Sequence, residues 1–285
     1  MVIVVYLLII LASITQSATT KLFNQNCAQS AIFNAIKSCA ALGLFALTAA
    51  FGFTFHLPTV LFGILYGACL CVSMYSGYQA LCRGPMALTS MLVSFSVIIP
   101  LIWGITVGNE MLKKIQYPAL VLFLLAIILT NIDRIKATKH TQTNYGVWLL
   151  FVGSTFACNG ICSILQKYHQ TLYPGAYSRE FMLFAMLLCS VIFSISVLSK
   201  TSPKELKMIK GKRYGVLSGL ANGIANFLTL VLAGLENASV LFPMISAGTI
   251  LMSLLCGRLL FREKLKANHY VALALGIVAV ILLKL

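Results

Sequence analysis

Ten apolar runs, each about 16 to 25 residues long and joined by short polar links, leave this chain few folds to adopt. They fall at about residues 2–18, 29–53, 58–80, 84–107, 117–132, 144–166, 177–198, 213–234, 237–261 and 268–285. A helix needs ~20 residues to cross ~30 Å of hydrocarbon. The ten-residue alternation of an outer-membrane barrel strand is absent. Only 9% of the residues are charged, against about 25% in a soluble domain, so most of the surface must face lipid. The sequence therefore predicts an all-α integral membrane protein with ten transmembrane helices. The first run lacks the basic segment that precedes a signal-peptide core, and Lys21 follows it, so it is read as a retained helix.

The chain repeats itself. Shifted by 153 residues, Asn109–Asn131 falls on Arg262–Lys284 with ten of 23 positions identical. Among them are Glu110/Glu263, Leu112/Leu265, Lys113/Lys266 and Tyr117/Tyr270. Apolar identities mean little in such a composition, but the Glu-x-Leu-Lys…Tyr frame uses residue types that are rare here. The repeat divides the chain into residues 1–132, a polar link at 133–143, and residues 144–285. Five spans per half is an odd number, so the second half enters from the opposite membrane face. Two inverted five-helix repeats are the plan of many secondary carriers.

The segment Gly84-Pro85-Met86-Ala87-Leu88, the in-run Pro100 and the exit Gly108-Asn109-Glu110 have counterparts in Glu236-Asn237-Ala238-Ser239-Val240, Pro243 and Arg262-Glu263. With these features the chain resembles the ten-helix, EamA-like members of the drug/metabolite transporter superfamily over nearly its whole length. Arg262 stands where that pattern usually has glycine. The resemblance implies a small-metabolite or drug carrier without a bound cofactor, in a bacterial cytoplasmic membrane, as a monomer or homodimer. The small multidrug-resistance relatives carry a carboxylate in their first helix. Here the first helix offers Thr15, Gln16 and Ser17, which argues against carboxylate-based proton coupling and against cationic drugs.

Polar groups inside spans are expensive in lipid and default to function. All six carboxylates, including Glu180 at the start of the seventh run, fall at run ends or in loops, unless Glu180 sits deeper than the pattern indicates. Lys37, two turns into the second run, is the one cation well inside a span. It either snorkels to the interface or serves as counter-charge to a carboxylate-bearing substrate. Arg179 is its mate in the seventh run or, as the favoured reading, a helix-end anchor. Tyr75, Ser76, Tyr78 and Gln79 close the third run. Asn159, Ser163 and Gln166 follow one another on the sixth, and Asn222, Asn226 and Thr229 share a face of the eighth. Singly, each serves as helix–helix glue worth about 0.6–2 kcal/mol. Together they predict a polar cavity, with Trp103 and Tyr66 lining it or packing beside it. Gly215, Gly219 and Gly223 form a small-residue run for close helix contact, and Gly67 matches Gly219 under nearly the same shift.

Other function classes find less support. The four histidines lie at predicted span ends with no intramembrane carboxylate beside them, which leaves no acid–base or metal set for an enzyme. The nine cysteines form no metal pattern and mostly act as small hydrophobes, though a Cys27–Cys82 disulfide stays open. The net charge of +15 sits in short loops, where it meets anionic headgroups and gives no reason to expect nucleic acid. The expected partners are a small-molecule substrate and the bilayer. The reading is a secondary transporter of a small polar metabolite, amino-acid-like or otherwise carboxylate-bearing, working by alternating access. A lipid-linked-sugar flippase or a multidrug exporter is the alternative on the same plan.

Orientation follows from loop charge. Loops after odd-numbered spans hold fourteen Lys and Arg residues, six of them in Lys200–Arg213, against five on the opposite face. The positive-inside rule places the richer face in the cytoplasm and both termini outside, although ten-helix relatives usually keep both termini in the cytoplasm. A periplasm-active phosphatase fused at Leu285 is expected to be active and a cytoplasm-active fluorescent protein dark. The reverse pattern contradicts the assignment.

Overall fold

The computed structural model describes residues 2–26, 30–83, 89, 92–137, 145–199, 211–261 and 267–284. Among these the chain is helical throughout, with no strand. The helices are α1 (Val2–Asn26), α2 (Ser30–Ala49), α3 (Leu57–Arg83), α4 (Ile98–Thr106), α5 (Gln116–Ala137), α6 (Tyr145–Leu172), α7 (Ser178–Leu198), α8 (Lys212–Ala233), α9 (Ala238–Phe261) and α10 (Ala267–Lys284). Each falls on one of the ten predicted runs. Of these, α1, α2, α3, α6, α7 and α8 are long and apolar enough to cross a membrane. The chain is thus a multi-pass α-helical membrane protein. The other four contain shorter apolar stretches: Leu92–Thr106, Gln116–Thr130, Ala238–Met252 and Ala267–Leu283.

Helix α5 runs through Ala137, so the first five residues of the expected polar link are helical. The rest of that link, most of the Lys200–Arg213 loop, Gly84–Leu88 and Arg262–Lys266 lie outside the described residues. So does Cys27, and with it the Cys27–Cys82 pairing.

Both faces of a helix are apolar here, because one faces the bundle and the other faces lipid. On α7, Phe181, Met182, Ala185, Met186, Cys189 and Phe193 point inward, while Leu187, Val191, Ile195 and Leu198 are exposed. Hydroxyls on α1 are satisfied within their own helix. Ser13 donates to the Ile9 carbonyl (2.8 Å), Thr15 to Leu11 (2.9 Å) and Ser17 to Ser13 (2.9 Å).

The chain forms two compact units, each drawn from both sequence halves: residues 1–71 with 165–234, and residues 72–164 with 235–285. In the first, α1 packs on α8, α2 on both α7 and α8, and α7 on α8. Two glycine pairs set the closest approaches. A Cβ at Gly63 or Gly67 of α3 would stand 2.7 Å from the Phe181 or Ala185 carbonyl oxygen of α7. On α8, a Cβ at Gly215 would stand 2.8 Å from the Ile36 side chain of α2, and one at Gly219 would run into the Lys37 carbonyl and Ala40. These contacts need residues without a side chain.

In the second unit α5 packs on α10 and α4 on α9. One turn before Pro100, the chain tightens to 3₁₀ at Phe95–Val97, where the ring removes an α-helical bond. After α4, Asn109 adopts a left-handed conformation (φ 50°), which Asn tolerates. The Glu110 N–H returns to the Gly104 carbonyl (3.0 Å). The Glu110 carboxylate then caps α9. Oε1 accepts from the Ala238 N–H (2.7 Å), and Oε2 from the Ser239 N–H (2.9 Å) and hydroxyl (2.7 Å). A carboxylate on orphan N–H groups at a helix N-terminus is favourable twice, through its hydrogen bonds and through the helix dipole. A Cβ at Gly104 would collide with this carboxylate, which explains the glycine.

Two outcomes follow. Gly67→Leu and Gly219→Leu should each cost about 1–3 kcal/mol by overpacking and lower the melting temperature in detergent. Gly43→Leu should not, since nothing lies within 4 Å of a Cβ there; equal melting of all three contradicts the packing account. Glu110→Ala should destabilise by about 1–3 kcal/mol, because it strands buried donors, and Glu110→Gln by less. A melting temperature unchanged in Glu110→Ala removes the cap from the account.

Candidate functional site

The first unit holds a polar cluster built from three helices. The Tyr66 hydroxyl of α3 donates to Asn226 Oδ1 of α8 (2.9 Å) and accepts from Gln166 Nε2 of α6 (3.3 Å). Gln166 Nε2 also reaches the Asn226 carbonyl (3.4 Å). One turn back, Asn222 accepts from Asn226 Nδ2 at its carbonyl (2.9 Å) and at Oδ1 (3.2 Å). Tyr66, Gln166 and Asn222 are buried. Thr229, expected on the same face, instead bonds the Ala225 carbonyl of its own helix (2.8 Å).

Lys37 belongs to the same unit. Its residue is 6% exposed, and its backbone lies against Gly219 of α8. On α7 of the same unit, the Cys189 thiol donates to the Gly67 carbonyl of α3 (3.5 Å). Among the described residues Lys37 has neither a hydrogen-bond nor an ion-pair partner. A snorkelling lysine keeps its head in water and only its stem on apolar surface. Most of Lys37 is enclosed by protein, and its ammonium is not one of the wholly enclosed atoms left without a partner. Arg179 is exposed and lies by Gly52, as a helix-end anchor would.

The other expected site residues lie in the second unit. Asn159 Oδ1 accepts from the Ser73 hydroxyl (2.6 Å). Tyr75 is exposed, with its ring 6.4 Å from that of Phe151. Tyr78 is also exposed, and Gln79 accepts from Arg83 one turn on. Trp103 is half-buried on α4. The eight expected residues thus divide between the units. Lys37, Asn222 and Asn226 share the first, and Tyr75, Tyr78, Gln79, Trp103 and Asn159 share the second.

Two buried groups sit at helix ends, where the sequence placed them. Glu180 is 4% exposed in the first turn of α7, where Oε1 accepts from the Thr54 N–H (3.1 Å) and hydroxyl (3.2 Å). His169 is fully buried in the last turn of α6, which continues to Leu172. The Thr59 hydroxyl bridges His56 Nδ1 (2.9 Å) and His169 Nε2 (3.1 Å). Gln170 Nε2 lies 3.2 Å from His169 Nδ1. The signal for His169 was present in the sequence. Cys162, Leu165, Gln166, His169 and Gln170 recur at helical spacing, and all five are buried, so the inward face persists through a polar stretch that reads as loop.

No family model matches the chain, and no curated protein matches it. Solved structures do. One, described only as the crystal structure of a protein, has a TM-score of 0.77 at 15% identity over 98% of this chain and 94% of that one. At that identity the likeness shows the fold alone.

Proposed function

We propose that this protein is a secondary transporter for a small polar solute bearing a carboxylate, and that Lys37 holds that carboxylate. The burial of Lys37, with no counter-charge among the described residues, is the observation that carries the reading. An ionised ammonium taken out of water and left unpaired costs several kcal/mol, and such a cost persists where function requires it. In the same unit, the cluster of Tyr66, Gln166, Asn222 and Asn226 offers amide and hydroxyl groups for the rest of a polar solute. These residues come from α2 and α3 of one sequence half and α6 and α8 of the other.

The inverted ten-span repeat is part of the same proposal, and several features support it. Helices three, eight, two and seven use glycine pairs in the same way: Gly63/Gly67 against α7 and Gly215/Gly219 against α2. Helices five positions apart pack on each other in α2/α7, α4/α9 and α5/α10, as elements related by a two-fold axis do. Membership of the drug/metabolite transporter superfamily accords with this plan, and alternating access is the mode of transport it serves.

The test separates binding from folding. Lys37→Met removes a buried charge and keeps an apolar stem of similar length, so its melting temperature without ligand should equal or exceed that of the unaltered protein. Purified protein is then screened for thermal stabilisation by amino acids, other carboxylates, nucleosides, sugars and cationic dyes. Carboxylate-bearing solutes should stabilise the unaltered protein and lose at least tenfold in apparent affinity with Lys37→Met. Stabilisation by cationic dyes instead, or an undiminished carboxylate response in Lys37→Met, contradicts the proposal.

A further inference from the structure

The buried histidine chain is not used by the solute site, and its hydrogen bonds have a direction. Backbone partners fix the Gln170 amide: Oε1 accepts from the Gly175 N–H (3.1 Å), and Nε2 faces the Ala176 carbonyl (3.4 Å) and the Ser178 hydroxyl (2.9 Å). The group aimed at His169 Nδ1 is therefore an N–H donor. In neutral imidazole one nitrogen donates and the other accepts. His169 Nδ1 must then be the acceptor, and Nε2 carries the hydrogen. That N–H donates to Thr59 Oγ1, which leaves the Thr59 hydroxyl to donate to His56 Nδ1. His56 in turn carries its own hydrogen on Nε2.

We infer that His56, Thr59 and His169 form a proton wire through which the proposed carrier couples transport to protons, with Gln170 as its gate. This inference rests on the carrier reading. The transfer balances. A proton reaches His169 Nδ1, the Nε2 hydrogen passes to Thr59 Oγ1, the hydroxyl hydrogen passes to His56 Nδ1, and His56 releases its Nε2 hydrogen. Half-buried His56 stands at the outer end, stacked on Tyr177 (4.4 Å) with Tyr173 edge-on (4.7 Å). Fully buried His169 stands at the inner end, among Phe62, Tyr173 and Phe181. The titratable and charged groups around the wire are Lys167, Tyr168 and Tyr173 from α6, Tyr177 from the following turn, and Arg179 and Glu180 from α7. Lys167 is bonded to the Ala233 carbonyl (3.1 Å) and Glu180 to Thr54 (3.1 Å).

While Gln170 points an N–H at His169 Nδ1, the second proton has no place to bind. Gln170 is held by the turn at Gly175–Ala176 and by Ser178 of α7, and it lies against Gly234 at the end of α8, where a Cβ would be 3.1 Å from Oε1. A shift of that turn or of the end of α8 would release the amide and open the wire. This ties proton entry to conformation, as coupling requires. Sequence reasoning argued against carboxylate-based coupling; imidazoles supply the alternative proton carrier.

Two measurements test the inference. Long-range proton–nitrogen NMR of histidine-labelled protein at mildly alkaline pH should show His169 and His56 as Nε2–H tautomers, each assigned by its replacement with Gln. An Nδ1–H tautomer at His169 overturns the direction of the wire. In proteoliposomes loaded with a pH-sensitive dye and given a potassium diffusion potential, Gln170→Leu should leak protons several-fold faster than the unaltered protein. Thr59→Val in that background should return the leak to its baseline. No added leak in folded Gln170→Leu, or a leak that survives Thr59→Val, overturns the wire. Either failure leaves the carboxylate response at Lys37 as it was, so the two readings fail separately.

Discussion

In lipid, a polar group that finds no partner in the protein finds none at all, and this constraint governs the whole chain. The backbone meets it by being helical across most of the described residues, with short turns between the helices. Hydroxyls meet it by bonding one turn back, as on α1. Glu110 meets it with three donors at the start of α9, and Glu180 with two at Thr54. Among the described residues the Ser218 and Thr249 hydroxyls are buried without a partner, and Lys37 is a buried cation with no ion-pair partner. The helices around Lys37 are held by other contacts, chiefly the glycine seams of α3 with α7 and α8 with α2. On the proposed reading its charge meets an incoming anion.

Two kinds of polar chemistry coexist in the first unit and serve different ends. The amide and phenol cluster has hydrogen bonds that can be exchanged for those of a solute at little net cost. The histidine chain is closed and directional, and it has one movable member, Gln170. A solute site and a proton path that share α3 and α6 need no long-range wire between them. Gln166 of the cluster and His169 of the chain are one helical turn apart on α6, and Phe181 packs against both Tyr66 (5.2 Å) and His169 (4.8 Å).

Much of the fold was legible in the sequence, because the length of an apolar run is itself a membrane measurement. All ten runs became helices, and the glycine run on α8 became the seam it was expected to be. The ends were less legible. The polar residues from Lys167 to Thr171 fell outside the sixth run because their types are those of loops, yet the inward face of α6 runs through them. The pairing of His169 with Thr59 and His56 was not legible, since contacts over 110 residues leave no local pattern. Glu180 lies in the first turn of α7, where the sequence placed it, but its burial and its bonds to Thr54 were not legible. Of the site, Lys37, Asn222, Asn226 and Gln166 were found because they interrupt apolar runs, and the fold adds the bonds that join Gln166 and Tyr66 to Asn226. Asn159, on the same reasoning, lies with Ser73 in the other unit.

The central claim is that the Lys37 and Asn222 region opens to water on each side of the membrane in turn. Asn222→Cys, placed in a background lacking the nine native cysteines, reports this directly. In sealed vesicles of either orientation, a membrane-impermeant thiol reagent is predicted to label position 222 from both faces, and a carboxylate-bearing solute to slow labelling from each. Labelling from neither face, or from one face only under every condition, contradicts the account.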